Sequence, residues 1–131
     1  MGDPISIAVS GLNAASQRLA AAASNIANSQ DTAPLTPEPG APQPYQPIDV
    51  AQTATPGGGT QAVEQPVTPA SIPSYDPNSP YANSSGTVAA PNVDLAQQLV
   101  NANIASISYD ANLKVIRTAQ QMQGYLLNIF S

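Results

Sequence analysis

The stretch Asn92–Ile129, NVDLAQQLVNANIASISYDANLKVIRTAQQMQGYLLNI, decides the fold of this chain. It contains no proline, and its apolar residues recur at steps of three or four, the spacing that places side chains on one face of a helix. Asn92 or Asp94 can cap this helix, and Asp94 followed by Gln97 resembles a capping box. A helix of about 36 residues would be roughly 54 Å long.

This long helix carries apolar residues on two sides and charge in a narrow wedge with Asp110, Lys114 and Arg117. One stripe is formed by Val100, Ile104, Ile107, Ala111, Val115, Ala119, Met122, Leu126 and Ile129. A second is formed by Leu95, Leu99, Tyr109, Leu113, Ile116 and Leu127. A helix that is apolar on two sides is normally buried on two sides, and a single other helix cannot cover both. We therefore expect contacts between subunits; the alternative is a helix that exposes single apolar residues, which is common.

The N-terminal stretch Pro4–Asn28 predicts a second helix. Asp3 suits the N-cap and Pro4 the first helical position. Two sets of residues recur every seven positions: Ile5, Leu12, Leu19 and Ile26, and, three residues after the first three of them, Ala8, Ala15 and Ala22. This is the a/d pattern of a coiled coil in which alanine permits close approach. The pattern fits an amphipathic helix within its own domain or a coiled-coil-like pairing with the C-terminal helix.

The middle of the chain is rich in proline. Thirteen of the fourteen prolines lie between Pro34 and Pro91, and Ala33–Pro47 is too proline-dense for a helix or a central strand. Tyr45–Val50 and Thr60–Val67 are candidates for short strands, and the three glycines 57–59 between them mark a turn or a flexible joint.

These patterns predict a mainly α fold. Two long terminal helices pack antiparallel as a coiled-coil-like pair, and an extended, proline-rich region with room for a short β-hairpin joins them. The predicted parts are an N-terminal helix within residues 1–30, the extended region 31–91 and a C-terminal helix within residues 92–131.

The composition argues against several classes of function. With no His and no Cys, the common nucleophilic triads and zinc sites are excluded. The carboxylates are scattered singly, so we expect neither an enzyme nor a cofactor or metal site. Three basic residues, Arg18, Lys114 and Arg117, are too few for a nucleic-acid surface or a polybasic membrane anchor.

The N-terminus also lacks the features of a cleaved secretion signal. Asp3 stands where a basic region is expected, and Asn13, Gln17 and Arg18 interrupt the apolar stretch. No apolar run approaches the roughly 18 residues of a membrane span, so we expect no direct membrane insertion. The chain is expected either to stay cytosolic or to leave the cell by a route that cleaves nothing.

Several motifs resemble those of the bacterial flagellar basal-body rod family. Near the N-terminus they are Ser10-Gly11-Leu12, Gln17-Arg18-Leu19, Ala23-Ser24-Asn25-Ile26-Ala27-Asn28 and Thr32. Towards the C-terminus, where the resemblance is to proximal rod proteins, they are Tyr75–Pro80, Gly86-Thr87-Val88, Pro91-Asn92-Val93-Asp94, Tyr109-Asp110-Ala111-Asn112 and the ending Met122, Leu127 and Ile129. Across Ala33–Ser74 the chain departs from the more regular strand-forming segment of the family, and Thr87 stands where an aromatic residue is expected.

The resemblance implies a structural subunit of the flagellar rod that polymerises through its terminal helices and transmits torque. Its partners would be copies of itself, other rod proteins and, during secretion, the type III export apparatus. It would be exported unfolded, without a cleaved signal, to the periplasmic part of the basal body. A non-enzymatic, proline-rich adaptor that binds a partner through its middle is the alternative. The expected subunit-packing residues are Ile5, Leu12, Leu19, Ile26, Leu99, Val100, Ile104, Ile107, Tyr109, Ala111, Leu113, Val115, Ile116, Met122, Leu126 and Ile129.

Overall fold

A computed structural model describes residues 3–36 and 39–129, with the side chains of Leu127 and Ile129 excepted. In chain order the elements are α1 (Pro4–Ala27), β1 (Ile48–Ala54), β2 (Thr60–Pro66), β3 (Ser71–Tyr75), β4 (Thr87–Pro91) and α2 (Leu95–Ile129). The two helices pack against each other, and β1 and β2 pack on α1.

Local signals set the ends of α1. Asp3 is the N-cap, and its Oδ1 accepts a hydrogen bond from the backbone N–H of Ile5 at 3.2 Å. Pro4 occupies the first turn, where its missing N–H leaves no bond unmade. At the other end Asn28 is the C-cap, and its backbone N–H donates to the carbonyls of Ser24 and Ile26. The predicted start of this helix is confirmed.

The start of α2 is set by Asp94. Its Oδ1 accepts from the backbone N–H of Gln97 at 3.1 Å, so Asp94 and not Asn92 is the cap. The Gln97 side chain donates to Asn101 Oδ1 at 3.2 Å. The capping box is therefore half formed, and α2 continues for 35 residues.

Two antiparallel strand pairs occupy the middle of the chain. The β1–β2 hairpin pairs Ile48 with Pro66 and Ala54 with Thr60. Its turn contains Gly58 and Gly59 at φ of 88° and 95°, a left-handed conformation that glycine adopts without strain. In the second sheet Ser71 pairs with Pro91 and Tyr75 with Thr87, and Ala33 forms an isolated bridge to Ala89.

The predicted fold class was therefore wrong about the middle region, which contains four strands in two sheets. The candidate Tyr45–Val50 is a strand only from Ile48 onward, the candidate Thr60–Val67 largely coincides with β2, and β3 and β4 had no counterpart in the prediction. Each strand belongs to a two-stranded sheet, so that among the described residues β1, β2 and β3 have one edge without a strand partner and β4 has only the single bridge to Ala33 there. Proline is tolerated at such edges and at strand ends, which explains Pro73 within β3 and Pro66 and Pro91 at the ends of β2 and β4.

The buried core is small and consists mainly of alanine. On α1 the buried apolar residues are Ala8, Ala14, Ala15, Ala21 and Ala22. Val88 and Ala89 are buried in the second sheet, and Ala105 is the one buried residue among those described in α2. The chain exposes 8583 Å² of accessible surface, whereas a compact monomer of its 13.3 kDa exposes about 6,400 Å². The subunit thus leaves roughly 2,000 Å² more surface in contact with water than its mass requires.

Candidate assembly interface and the seam that presents it

The face that α2 turns towards α1 is largely polar. Its members recur at steps of three or four and are buried or half-buried: Gln98, Asn101, Ala105, Ser108 and Asn112. The facing residues of α1 are Ala8, Gly11, Ala15, Arg18, Ala22 and Asn25. We call these two faces together the inner seam. The predicted burial of Ala8, Ala15 and Ala22 is confirmed. The other seam positions of α1 are occupied by a glycine, an arginine and an asparagine.

The helices come closest at Gly11. A Cβ atom added there would lie 2.7 Å from both amide atoms of the Asn112 side chain and 2.8 Å from its Cγ. The Asn112 amide is held in turn by its Nδ2, which donates to the carbonyl of Ser108 at 2.8 Å. A glycine at this position therefore makes the room that the Asn112 side chain occupies.

Asn25 is the polar centre of the subunit and is fully buried. Its Nδ2 donates to the carbonyl of Ile48 at 2.7 Å and to Oε1 of Gln98 at 3.2 Å. Its Oδ1 accepts from the N–H of Ile48 at 3.0 Å and from the hydroxyl of Tyr45 at 3.1 Å. All four hydrogen-bonding sites of the amide are therefore used. This one side chain joins α1 to α2, to the start of β1 and to the segment before it.

Ser10 ties α1 to the β1–β2 hairpin. Its Oγ donates to the carbonyl of Ile7 at 2.7 Å and accepts from the backbone N–H of Thr60 at 3.1 Å. Gly59 lies so close that an added Cβ would collide with this hydroxyl. Ser10, Gly11 and Asn25, none of which was among the predicted packing residues, thus hold the subunit together. In the sequence, two of the N-terminal motifs, Ser10-Gly11-Leu12 and Ala23–Asn28, contain all three of these residues.

Most of the first predicted stripe of α2 faces solvent. Val100, Ile104, Ile107, Val115, Met122 and Leu126 are between 44% and 68% exposed, and Ala111 is exposed as well. We call these seven residues the outer stripe. Of the other two predicted members, Ala119 is half-buried, and the side chain of Ile129 lies outside the described part of the structure.

The remaining predicted packing residues lie along the flanks of the inner seam. On α2, Leu99 and Tyr109 are exposed, whereas Leu113 and Ile116 are half-buried. Leu95, which belongs to the predicted second stripe, is also exposed. On α1, Leu19 is 41% exposed, and Ile5, Leu12 and Ile26 are half-buried. We call these four residues of α1 the leucine edge. The charged residues Asp110, Lys114 and Arg117 are all exposed.

The described residues offer little for other kinds of site. Among them, no group of three or more His, Cys, Asp or Glu side chains comes together as metal ligands. Neither helix, over its described length, combines the length and the hydropathy of a membrane span.

Comparison with known proteins identifies the family. The profile of the family "Flagella basal body rod protein" matches residues 5–33, and that of "Flagellar basal body rod FlgEFG protein C-terminal" matches residues 84–129. The flagellar basal-body rod protein FlgC of Escherichia coli O157:H7 is 38% identical over 120 residues, which cover 88% of this chain and 87% of that protein. FlgC of Salmonella typhimurium shows the same identity and coverage, and FlgC of Agrobacterium fabrum is 34% identical, with 97% and 96% covered.

The chain belongs to the flagellar basal-body rod protein family and is FlgC-like. As a rod protein it is a structural subunit of the flagellar basal body, where it assembles with other rod proteins. The N-terminal profile covers nearly all of α1, with Ser10, Gly11 and Asn25. The C-terminal profile covers β4 and α2 and therefore the whole outer stripe. The sequence-based prediction of a rod subunit is confirmed.

Proposed function

We propose that this rod protein polymerises, with copies of itself and with other rod proteins, through the outer stripe of α2 and the leucine edge of α1. The assembly is the proximal rod, and it transmits torque by helix packing and without catalysis or a cofactor. The observation that carries this proposal is the exposure of the outer stripe. Six large apolar side chains on one helix face are about half exposed, although the same chain buries mostly alanine.

The surface that remains is sufficient for assembly. Full burial of a large apolar side chain contributes about 1.5–3 kcal/mol, so a half-exposed one retains about 1 kcal/mol for a neighbouring subunit. The excess surface of roughly 2,000 Å² on one subunit is more than twice the ~800 Å² that each partner contributes to a standard interface. These quantities favour permanent subunit contacts over scattered exposed residues.

Two apolar faces on different sides of the subunit favour a filament. The outer stripe lies on one flank of the inner seam, and Leu95, Leu99 and Tyr109 lie on the other. Contacts between different surfaces of identical subunits are heterologous, and they generate open helical assemblies when the rotation does not close. A rod is such an assembly.

We further propose that the subunit reaches the periplasmic rod through the flagellar type III export apparatus, unfolded and without cleavage of a signal. A small alanine core supports this route, because a chain with little buried apolar area is easily held unfolded. The mass of the subunit recovered from purified basal bodies tests it. A species that lacks Asp3 and the residues after it would contradict the proposal.

Motility of strains that carry single substitutions tests the assembly surfaces. We expect Ile107→Asp and Leu19→Asp to abolish swimming in soft agar, because each places a charge where a neighbouring subunit packs. Asn103→Asp is the matched control, since Asn103 is exposed on the same helix and lies on the side of the charged wedge. Normal swimming by the Ile107 and Leu19 variants would refute the proposal.

The same motility assay distinguishes the proposed rod subunit from the alternative, a proline-rich adaptor. An adaptor that binds through its proline-rich segment would lose function on substitution of Pro39 and Pro42 and would tolerate Ile107→Asp. Pro37, a neighbouring proline, lies outside the described residues.

A further inference from the structure

Helix α1 packs against the polar face of α2 although an apolar face is available. The inner seam on α2 contains Gln98, Asn101, Ser108 and Asn112, whereas the outer stripe from Val100 to Val115 lies about a quarter of a turn away on the same helix. Only the end of the stripe, at Met122 and Leu126, shares a cavity with Ile5 at the start of α1. Burial of apolar surface alone would favour the outer stripe as the partner of α1. Some other feature of the chain must therefore select the polar face.

Two contacts of the inner seam agree on a single register. Gly11 lies against Asn112, and Asn25 is bonded to Gln98. The two contacts are separated by the same fourteen residues on each helix, from Gly11 to Asn25 and from Gln98 to Asn112. Fourteen residues are two heptads, the interval after which paired helices present the same face to each other again.

The alanines of the seam do not supply this selection. Ala8, Ala15 and Ala22 are alike, and a row of small side chains accepts many partner faces and many registers. Buried polar groups discriminate between arrangements, because one that leaves a buried donor or acceptor without a partner loses the full desolvation free energy of that group. A single buried asparagine can fix the register of paired helices in this way.

We propose that Asn25, with Gly11 as a second fixed point, is a positioning residue that keeps α2 turned with its polar face inward and its outer stripe available to neighbouring subunits. The use of the stripe in assembly rests on the proposed function; the control of orientation by Asn25 does not. Without Asn25, α2 turns about its axis and covers its outer stripe with the alanine face of α1.

Engineered disulfides measure the orientation of α2 directly, because the chain contains no cysteine. By the common register Ala15 faces Ser108, so Ala15→Cys with Ser108→Cys reports the observed packing. Ala15→Cys with Ala111→Cys reports the turned helix, since Ala111 belongs to the outer stripe. Both pairs are introduced into the purified full-length chain and oxidised under dilute conditions that prevent polymerisation.

In the otherwise unchanged chain we expect the first pair to cross-link and the second to remain largely reduced. Asn25→Leu is expected to shift the ratio of the two products by about fivefold or more towards the second pair, the effect of losing one to two net hydrogen bonds. Retention of the original ratio in Asn25→Leu, or failure of the first pair to cross-link in the unchanged chain, would overturn the proposal.

A milder variant decides the question if Asn25→Leu loses its helical circular dichroism. Gln98→Leu removes only the bond between the helices and leaves the bonds of Asn25 to Ile48 and Tyr45 in place. Its matched control is Gln121→Leu, an exposed glutamine of the same helix that lies away from the inner seam. We expect a shift towards the second pair in Gln98→Leu alone, and equal behaviour of the two glutamine variants would overturn the proposal. The cross-linking ratio does not depend on motility. Failure of the assembly proposal can therefore be distinguished from failure of the proposal about Asn25.

Discussion

Replacement of Gly11 by alanine tests the close approach of the two helices. In a helix interior this substitution ordinarily stabilises by about 1 kcal/mol, because alanine loses less backbone entropy on folding. At Gly11, however, the new methyl group would lie 2.7 Å from the Asn112 amide. The side chain of Asn112 then has to move, although its Nδ2 is bonded to the carbonyl of Ser108.

The balance of these effects is unfavourable. Displacing the amide forfeits a hydrogen bond worth about 1 kcal/mol, and overpacking a tight contact costs about 1–3 kcal/mol. Set against the gain of about 1 kcal/mol in helix propensity, the free energy of unfolding should fall by about 1–3 kcal/mol. Gly124→Ala is the matched control, because nothing lies within 4 Å of a Cβ placed there. That variant should be stabilised, by up to about 1 kcal/mol.

Thermal or urea unfolding of the full-length chain, followed by circular dichroism at the helix band, measures these differences. For a chain of this length, each 1 kcal/mol corresponds to a shift of about 3–5 °C in Tm. The double variant Gly11→Ala with Asn112→Ala removes the collision, and the coupling energy of the cycle should be about 2 kcal/mol. If Gly11→Ala raises the Tm as much as Gly124→Ala does, the helices do not meet at Gly11.

Three further outcomes are expected. Asn25→Ala should lower the free energy of unfolding by about 2–4 kcal/mol, because the backbone N–H of Ile48 and the Gln98 amide lose their partner. Urea unfolding measures this difference. A decrease of less than about 0.5 kcal/mol, the size typical of surface sites, would contradict the prediction. Asp94→Ala should lower the free energy of unfolding by about 1 kcal/mol, because α2 loses its N-cap. Amide hydrogen exchange in the first turn of α2 should become faster. An unchanged exchange rate at Gln97 would show that Asp94 does not cap the helix. Circular dichroism should show partial helicity in the isolated subunit that rises on assembly. An isolated subunit whose helicity does not rise on assembly would argue against the need for neighbours.

The helix ends could be read from the sequence because their signals are local. Asp3-Pro4 and Asp94 act through the first turn that follows them, and no distant residue is needed to interpret them. The face of each helix was harder to assign. Periodicity identified the apolar stripes of α2, yet a stripe does not say whether its partner lies in the same chain or in a neighbouring one.

Strands β3 and β4 were missed because their determinants are not local. Pro73 and Pro91 argue against central strands, and they are tolerated here because β3 is an edge strand and Pro91 is the last residue of β4. The bridge from Ala33 to Ala89 joins residues far apart in the sequence, and no local sequence feature near either residue predicts it. The same holds for Asn25, whose partners at Tyr45, Ile48 and Gln98 become visible only in the folded chain.

The arrangement of polar and apolar surface follows from what an assembling subunit requires. Burial of leucine and isoleucine is the largest favourable contribution to packing, and a subunit that satisfied it internally would be a stable monomer with a weak polymer contact. This chain does the reverse: its inner seam is mainly alanine, glycine and polar side chains, and many of its larger apolar residues remain exposed. Subunit stability is then linked to the concentration of neighbours, as for any state stabilised by binding. Order in the subunit and growth of the rod are therefore expected to reinforce each other at the growing end.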